Sequence, residues 1–159
     1  MAADQYRSLS PEAILATLRS LPRRYRAELA NDPSIDLEAV ARDHAGPSPA
    51  ELIATAAARI TALADAVHRA AVLDQPSVTI AEGTTAVAGS VDTALSTLDA
   101  AVAHAVEIVD ALPTEAWART ARVAGRETTV LALAQDCARE GVERLRDLTA
   151  LLDQIKRNR

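Results

Sequence analysis

Val91, Leu95, Leu98, Val102, Ala105, Val109 and Leu112 recur at alternating spacings of four and three residues. A row with this spacing stays on one side of an α-helix and needs neighbouring helices to cover it, in the manner of a coiled-coil seam. Similar stripes recur along the chain. Ile14, Leu15, Leu18 and Leu21 mark an earlier helix, and Leu52, Ile53, Ala56, Ile60, Leu63 and Val67 mark another. Leu131, Ala134, Cys137, Gly141, Leu145, Leu148, Leu152 and Ile155 stripe the last. Two of these helices carry clear start signals. Ser10-Pro11-Glu12 supplies an N-cap serine, a proline at the first helical position and an acid in the first turn. Ser48-Pro49-Ala50-Glu51 repeats the signal with Glu51 in capping-box position.

The breaks between stripes set the topology. Pro22 should kink or restart the first helix, which then runs to about Leu29. Asn31-Asp32-Pro33 interrupts the chain, and a short helix is expected over Ser34 to Asp43, ended by Gly46-Pro47. The helix after Ser48 runs to about Leu73 and is closed by Asp74-Gln75-Pro76. Ser77 to Gly89, with Gly83 and several threonines, reads as a crossover loop with an extended piece at Val78-Thr79-Ile80. Leu112-Pro113-Thr114-Glu115-Ala116-Trp117 predicts a turn and a short helix, and Gly125 separates this connection from the last helix. Lys156, Arg157 and Arg159 complement the dipole at that helix's C-terminal end. The expectation is an all-α four-helix bundle with a long crossover between helices 2 and 3. It is a single domain over 1–159, with the bundle proper at about 10–156. β-branched residues are too dispersed to predict a sheet.

Composition narrows the partners. Aromatics are 2% of the 159 residues and Phe is absent, so the core must be Leu, Val, Ile and Ala. Alanine-rich helices pack closely but have few large side chains to close a core, which favours a homodimer. A net charge of −5 argues against nucleic acid as a partner. Lys156 is the only lysine among 17 basic residues, and this Arg- and Ala-rich balance points to a GC-rich bacterial genome. No apolar run approaches the ~20 residues that span a bilayer. The segment Met1 to Leu9 has no apolar signal core, and the single Cys137 excludes an internal disulfide. A cytoplasmic protein with no membrane association is expected.

Glu140 and Arg144 stand four apart on the last helix and share a face. A carboxylate followed four residues later by histidine would be half of a metal site, but arginine stays protonated and has no lone pair to donate. Three segments surround this pair in the reading. The second helix opens Ser48-Pro49-Ala50-Glu51-Leu52-Ile53-Ala54-Thr55, and Leu112-Pro113-Thr114-Glu115-Ala116-Trp117 follows the third. Gly125-Arg126-Glu127-Thr128-Thr129-Val130 then leads to Arg139-Glu140, Arg144 and Asp147-Leu148. In order and spacing these resemble the DinB/YfiT-like superfamily. Within it they are most similar to the metal-binding bundle of mycothiol-dependent maleylpyruvate isomerases, over residues 10–156.

The resemblance implies a divalent metal, zinc or nickel, held by three side chains with open positions for water and a thiol or substrate. One is a histidine four residues after the Glu of Ser-Pro-x-Glu. The others are an acid or histidine on the last helix and a histidine four residues later. The corresponding positions are Thr55, Glu140 and Arg144, of which only Glu140 can ligate. A catalytic zinc normally has three protein ligands. The reading is therefore a former metal site with no metal, no cofactor and no catalytic residue. Three roles stay open for the Glu140–Arg144 pair: an i,i+4 ion pair in the favourable order, an anchor in Arg144 for a small anionic ligand such as a carboxylate, or retained metal binding.

Arg144, Cys137 and Trp117 are the candidate ligand-binding residues. Cys137 lies on the apolar stripe, where an inert buried thiol is the plainer reading. Trp117 reads as a core anchor at the end of the bundle, and Arg119, Arg122 and Arg126 read as a solvated loop cluster. His44 is a loop residue beside Gly46-Pro47. His68 falls 13 residues after Thr55, about 220° further round the helix, so the two should not share a site. His104 flanks the seam, and both His68 and His104 read as surface or boundary residues. Two functions remain. One is a non-catalytic bundle that binds a small molecule, another protein or a second copy of itself. The alternative is a transferase or isomerase dependent on mycothiol or a similar thiol, with an atypical site.

Overall fold

A computed structural model describes residues 4–31, 33, 35–37, 46–80 and 89–158. Its helices are α1 (Asp4–Arg7), α2 (Pro11–Ala30), α3 (Pro49–Val72), α4 (Val91–Asp110) and α5 (Val130–Arg157), with a 3-10 turn at Thr114–Ala116. Strands β1 (Ser77–Val78), β2 (Thr120–Val123) and β3 (Arg126–Thr129) complete the described elements. The fold is an all-α bundle in which α2 to α5 are the four long helices. Apart from residues 35–37, the short helix expected over 34–43 lies outside the described residues, as do His44 and Gly83.

The helix starts follow the local chemistry. Ser10 accepts from the Ala13 amide, Ser90 from Thr93 and Thr129 from Ala132, each satisfying an otherwise unpaired first-turn donor. Ser48 and Glu51 form the full capping box: the Ser48 hydroxyl accepts from the Glu51 amide and the Glu51 carboxylate from the Ser48 amide, both at 3.1 Å. Pro22 does not restart the first helix. α2 runs from Pro11 to Ala30 with Pro22 inside it. An interior proline costs about 3 kcal/mol, and burial of Leu18, Leu21 and Tyr25 on either side outweighs that penalty.

A small sheet stands where none was expected. β2 and β3 form an antiparallel hairpin, with Thr120 opposite Thr129 and Val123 opposite Arg126. Its two-residue turn is Ala124-Gly125, with φ of 51° and 77°. Positive φ at both central positions is the geometry that matches the twist of a tight hairpin, and Gly125 adopts it without Cβ strain. β1 adds in parallel to β2, Ser77 opposite Arg122 and Val78 opposite Val123. The extended piece expected at Val78-Thr79-Ile80 is thus a strand at Ser77–Val78.

α3 packs on both α4 and α5, while α2 closes the other side of α4 and α5. Ile53, Ile60 and Val67 of α3 are fully buried, as are Leu98 of α4 and Leu133 and Leu148 of α5. α3 and α4 run in the same direction, as the crossover between them requires, with residues 65 to 72 beside 104 to 112. Tyr25 is also fully buried and donates its hydroxyl to the Gly141 carbonyl at 2.7 Å, pinning α2 to α5. Tyr25→Phe removes that buried bond while keeping the ring. It is expected to lower stability by about 1 kcal/mol in urea unfolding. An unchanged midpoint would show that the hydroxyl contributes nothing.

Candidate functional site

The α5 stripe that buries Cys137, Gly141 and Leu145 also carries Glu140 inward. Besides the buried tyrosines and Cys137, the buried polar or charged side chains among the described residues are Ser48, Gln135 and Glu140, and Glu140 is 7% exposed. Its carboxylate is met from two helices. Arg59 of α3 donates from Nη2 to Oε1 at 3.3 Å. Arg144, one turn on along α5, places Nε 3.6 Å from Oε2, an ion-pair distance too long for a hydrogen bond. Glu140 Oε2 and Arg144 Nε are accordingly both buried without a hydrogen-bond partner. Arg144 turns its Nη1 to Asp147 at 2.9 Å.

One turn earlier, Asp136 accepts Arg7 at 3.0 Å and lies 3.6 Å from Arg139. Burial pushes the Asp136 carboxyl above its usual range, against the pull of Arg7 and Arg139. Spacings of three and four keep Asp136, Arg139, Glu140, Arg144 and Asp147 along one side of α5, where opposite charges can meet.

Thr55 is half-buried on α3, one turn before Arg59. Arg59 is the residue that sequence reading missed. Its only signal is its spacing of four from Thr55, on a helix that also carries Arg69 toward its end. A groove of about 480 Å³ adjoins Arg144, and Leu52, Asp147, Leu151 and Arg157 are among its lining residues.

The other candidate ligand-binding residues do not join Arg144. Cys137 is fully buried, and its thiol points to the Ile60 carbonyl at 3.5 Å. Burial, with Glu140 and Asp136 adding to it, pushes that thiol up to about 12. A thiol so placed is neither a nucleophile nor a pocket wall at neutral pH. Trp117 is half-buried against the core at the foot of α5, where its carbonyl accepts the Leu131 amide at 3.1 Å. Leu131 and Arg144 are thirteen residues apart, ~20 Å along the helix. The arginines beyond Trp117 have structural contacts: Arg119 donates to the Leu73 carbonyl and Arg122 to that of Gly125.

His68 and His104 are surface residues that share a wall. Both line a groove between α3 and α4, and His104 Nε2 lies 2.8 Å from Asp65 Oδ1. Thr55 is not among the residues that line this groove. Among the described residues no group of three or more His, Cys, Asp or Glu side chains is placed to hold a metal ion. No described helix is long and apolar enough to cross a membrane.

No family model matches the chain, and no curated protein matches it. A solved structure does: the crystal structure of a mycothiol-dependent maleylpyruvate isomerase carrying a histidine-to-alanine substitution. The TM-score is 0.63 at 19% identity, covering 90% of this chain and 62% of that one. The chain thus spans less than two thirds of the isomerase's length, and at this identity the likeness is one of fold: a helical bundle resembling that of the isomerase.

Proposed function

We propose that the chain is a cytoplasmic, non-catalytic binding module built on this bundle, in which an arginine–carboxylate cluster stands at the positions of a former metal site. The observation that carries the reading is Glu140, buried and met by the guanidinium groups of Arg59 and Arg144. This donor set does not fit a divalent metal. It offers one carboxylate and, at Thr55, a neutral hydroxyl, beside two permanent cations, whereas a zinc centre takes three protein ligands. The two arginines supply what a bound cation would: charge to offset a buried carboxylate and a tie between α3 and α5. The groove beside Arg144, with Arg157 on its wall, suits a small anion such as a carboxylate or a thiolate. A second copy of the chain is another occupant this reading allows.

The rival is a thiol-dependent transferase or isomerase, favoured by the fold likeness to an isomerase. Metal content separates the two. Protein purified without chelator or histidine tag is expected to carry sub-stoichiometric zinc and nickel, and added metal should leave its melting midpoint unchanged. Metal at one equivalent with a large rise in midpoint would overturn the proposal. Thr55→His combined with Arg144→His would complete a two-histidine, one-carboxylate set with Glu140. That variant is expected to gain stoichiometric zinc, and failure to gain it would mean that these are not the ligand positions.

A further inference from the structure

Asp65 and His68 stand three apart on α3, and His104 and Glu107 stand three apart on α4. Because the two helices run in the same direction, both pairs face one groove of about 550 Å³. That volume falls in the range of small-molecule sites. The remaining lining is apolar, chiefly Ala71, Val72, Ile108 and Leu112. Val72 is 60% exposed, the most exposed large apolar side chain among the described residues. A single exposed valine means little, but this one extends the apolar wall of a concave surface.

The charge in the groove is one-sided. It is lined by two carboxylates, Asp65 and Glu107, and by no lysine or arginine. Asp65 is held at the rim by the His104 ring at 2.8 Å. The side chains of His68 and Glu107 have no hydrogen-bond or ion-pair partner among the described residues. We infer that this groove binds a small amphipathic cation, a primary ammonium group on an apolar body. The head would sit between Asp65 and Glu107, and the tail would lie along Val72, Ile108 and Leu112.

An ammonium fits because its three N–H groups can donate to loosely arranged carboxylate oxygens and imidazole nitrogens. A bare divalent ion demands convergent ligands, and these four side chains do not converge as a metal site. A small anion would meet two carboxylates. Its nearest lining residue on α3, Asp65, is six residues, ~9 Å, along the helix from Arg59, and neither Arg59 nor Glu140 lines the groove. It therefore stands whether or not the reading of the Glu140 cluster holds.

The test is titration of isotope-labelled protein at pH 8 with butylammonium, hexylammonium and 2-phenylethylammonium, following backbone amide shifts. The matched neutral and anionic probes are 2-phenylethanol and 3-phenylpropionate. Saturable shifts are expected around residues 65–72 and 104–112, with affinity rising from butyl to hexyl and at least tenfold weaker for both matched probes. Asp65→Asn with Glu107→Gln should weaken 2-phenylethylammonium tenfold or more while leaving the melting midpoint unchanged, as both side chains are exposed. No saturable shift with any ammonium at millimolar concentration would overturn the inference. So would 2-phenylethanol binding as tightly as the cation, or zinc alone titrating the same residues more tightly than the ammonium series.

Discussion

Gly141→Val is expected to destabilise the bundle by about 3 kcal/mol, near the upper end for overpacking a full core. A Cβ placed on Gly141 meets Leu21 Cδ1 at once, and then Leu21 Cδ2 at 3.3 Å and Ile60 Cδ1 at 3.4 Å. Leu21 belongs to α2 and Ile60 to α3, and both are fully buried. Three helices thus converge on a point with no room for a side chain. Alanine there asks only the end of one leucine to move, and it gains about 1 kcal/mol in helix propensity over glycine. Gly141→Ala should therefore lie within about 1 kcal/mol of the parent. Valine adds two further methyl groups that only backbone movement can accommodate. Such movement also pulls on the Tyr25–Gly141 hydrogen bond. For a chain of this length the loss should lower the melting midpoint by roughly 6–12 °C. Valine melting with the parent would mean that α2 and α5 do not approach as closely as described.

The four long helices are legible in the sequence because each carries its evidence locally. Ser10 and Ser48 announce two of the starts, and the stripes name the buried faces. Pro22 leaves a kink and a restart both open in the sequence, because the local penalty of a proline is visible there while the packing that keeps the helix continuous to Ala30 is not. The sheet is invisible for a different reason. Its strands are two to four residues long, too short for alternation to register. β1 pairs with β2 across more than forty residues, and the Arg122 amide donates to the Pro76 carbonyl. The hairpin turn is Ala124-Gly125, which lacks the Asn-Gly or Asp-Gly sequence that usually announces one.

The site was readable as far as one helix goes. Glu140 and Arg144 pair because a spacing of four places them together, and Cys137 is buried because it lies on the stripe. Arg59 could not be found in this way, since its meeting with Glu140 depends on how α3 is set against α5. The shared groove of His68 and His104 depends likewise on the register between α3 and α4. Helical period fixes which face a residue occupies. It does not say which residue of another helix stands opposite.

Raising the pH from 9 to 11 is expected to lower unfolding free energy by about 3–4 kcal/mol, far more than the single exposed lysine could explain. Cys137 has an ordinary value near 9 when unfolded and one pushed up to about 12 by burial in the native core. Below pH 9 the thiol is protonated in both states, and its contribution is fully present. Between about 9 and 12 the unfolded chain releases this proton and the native chain keeps it. Stability then falls with rising pH by about 1.4 kcal/mol per unit.

Tyr25 acts in the same direction from its own ordinary value of 10. Burial raises it further, only partly opposed by the positive charge of Arg144. The arginines stay protonated throughout and cannot mask the effect. Urea unfolding at each pH, on the parent and on Cys137→Ala, isolates the thiol. The variant should be somewhat less stable at pH 8 because a buried sulfur is lost. Its curve should then be flatter, closing on the parent as the pH rises. Two parallel curves would mean that Cys137 titrates in the native protein as it does in the unfolded chain, and the thiol would then be open to solvent, beside Glu140, after all.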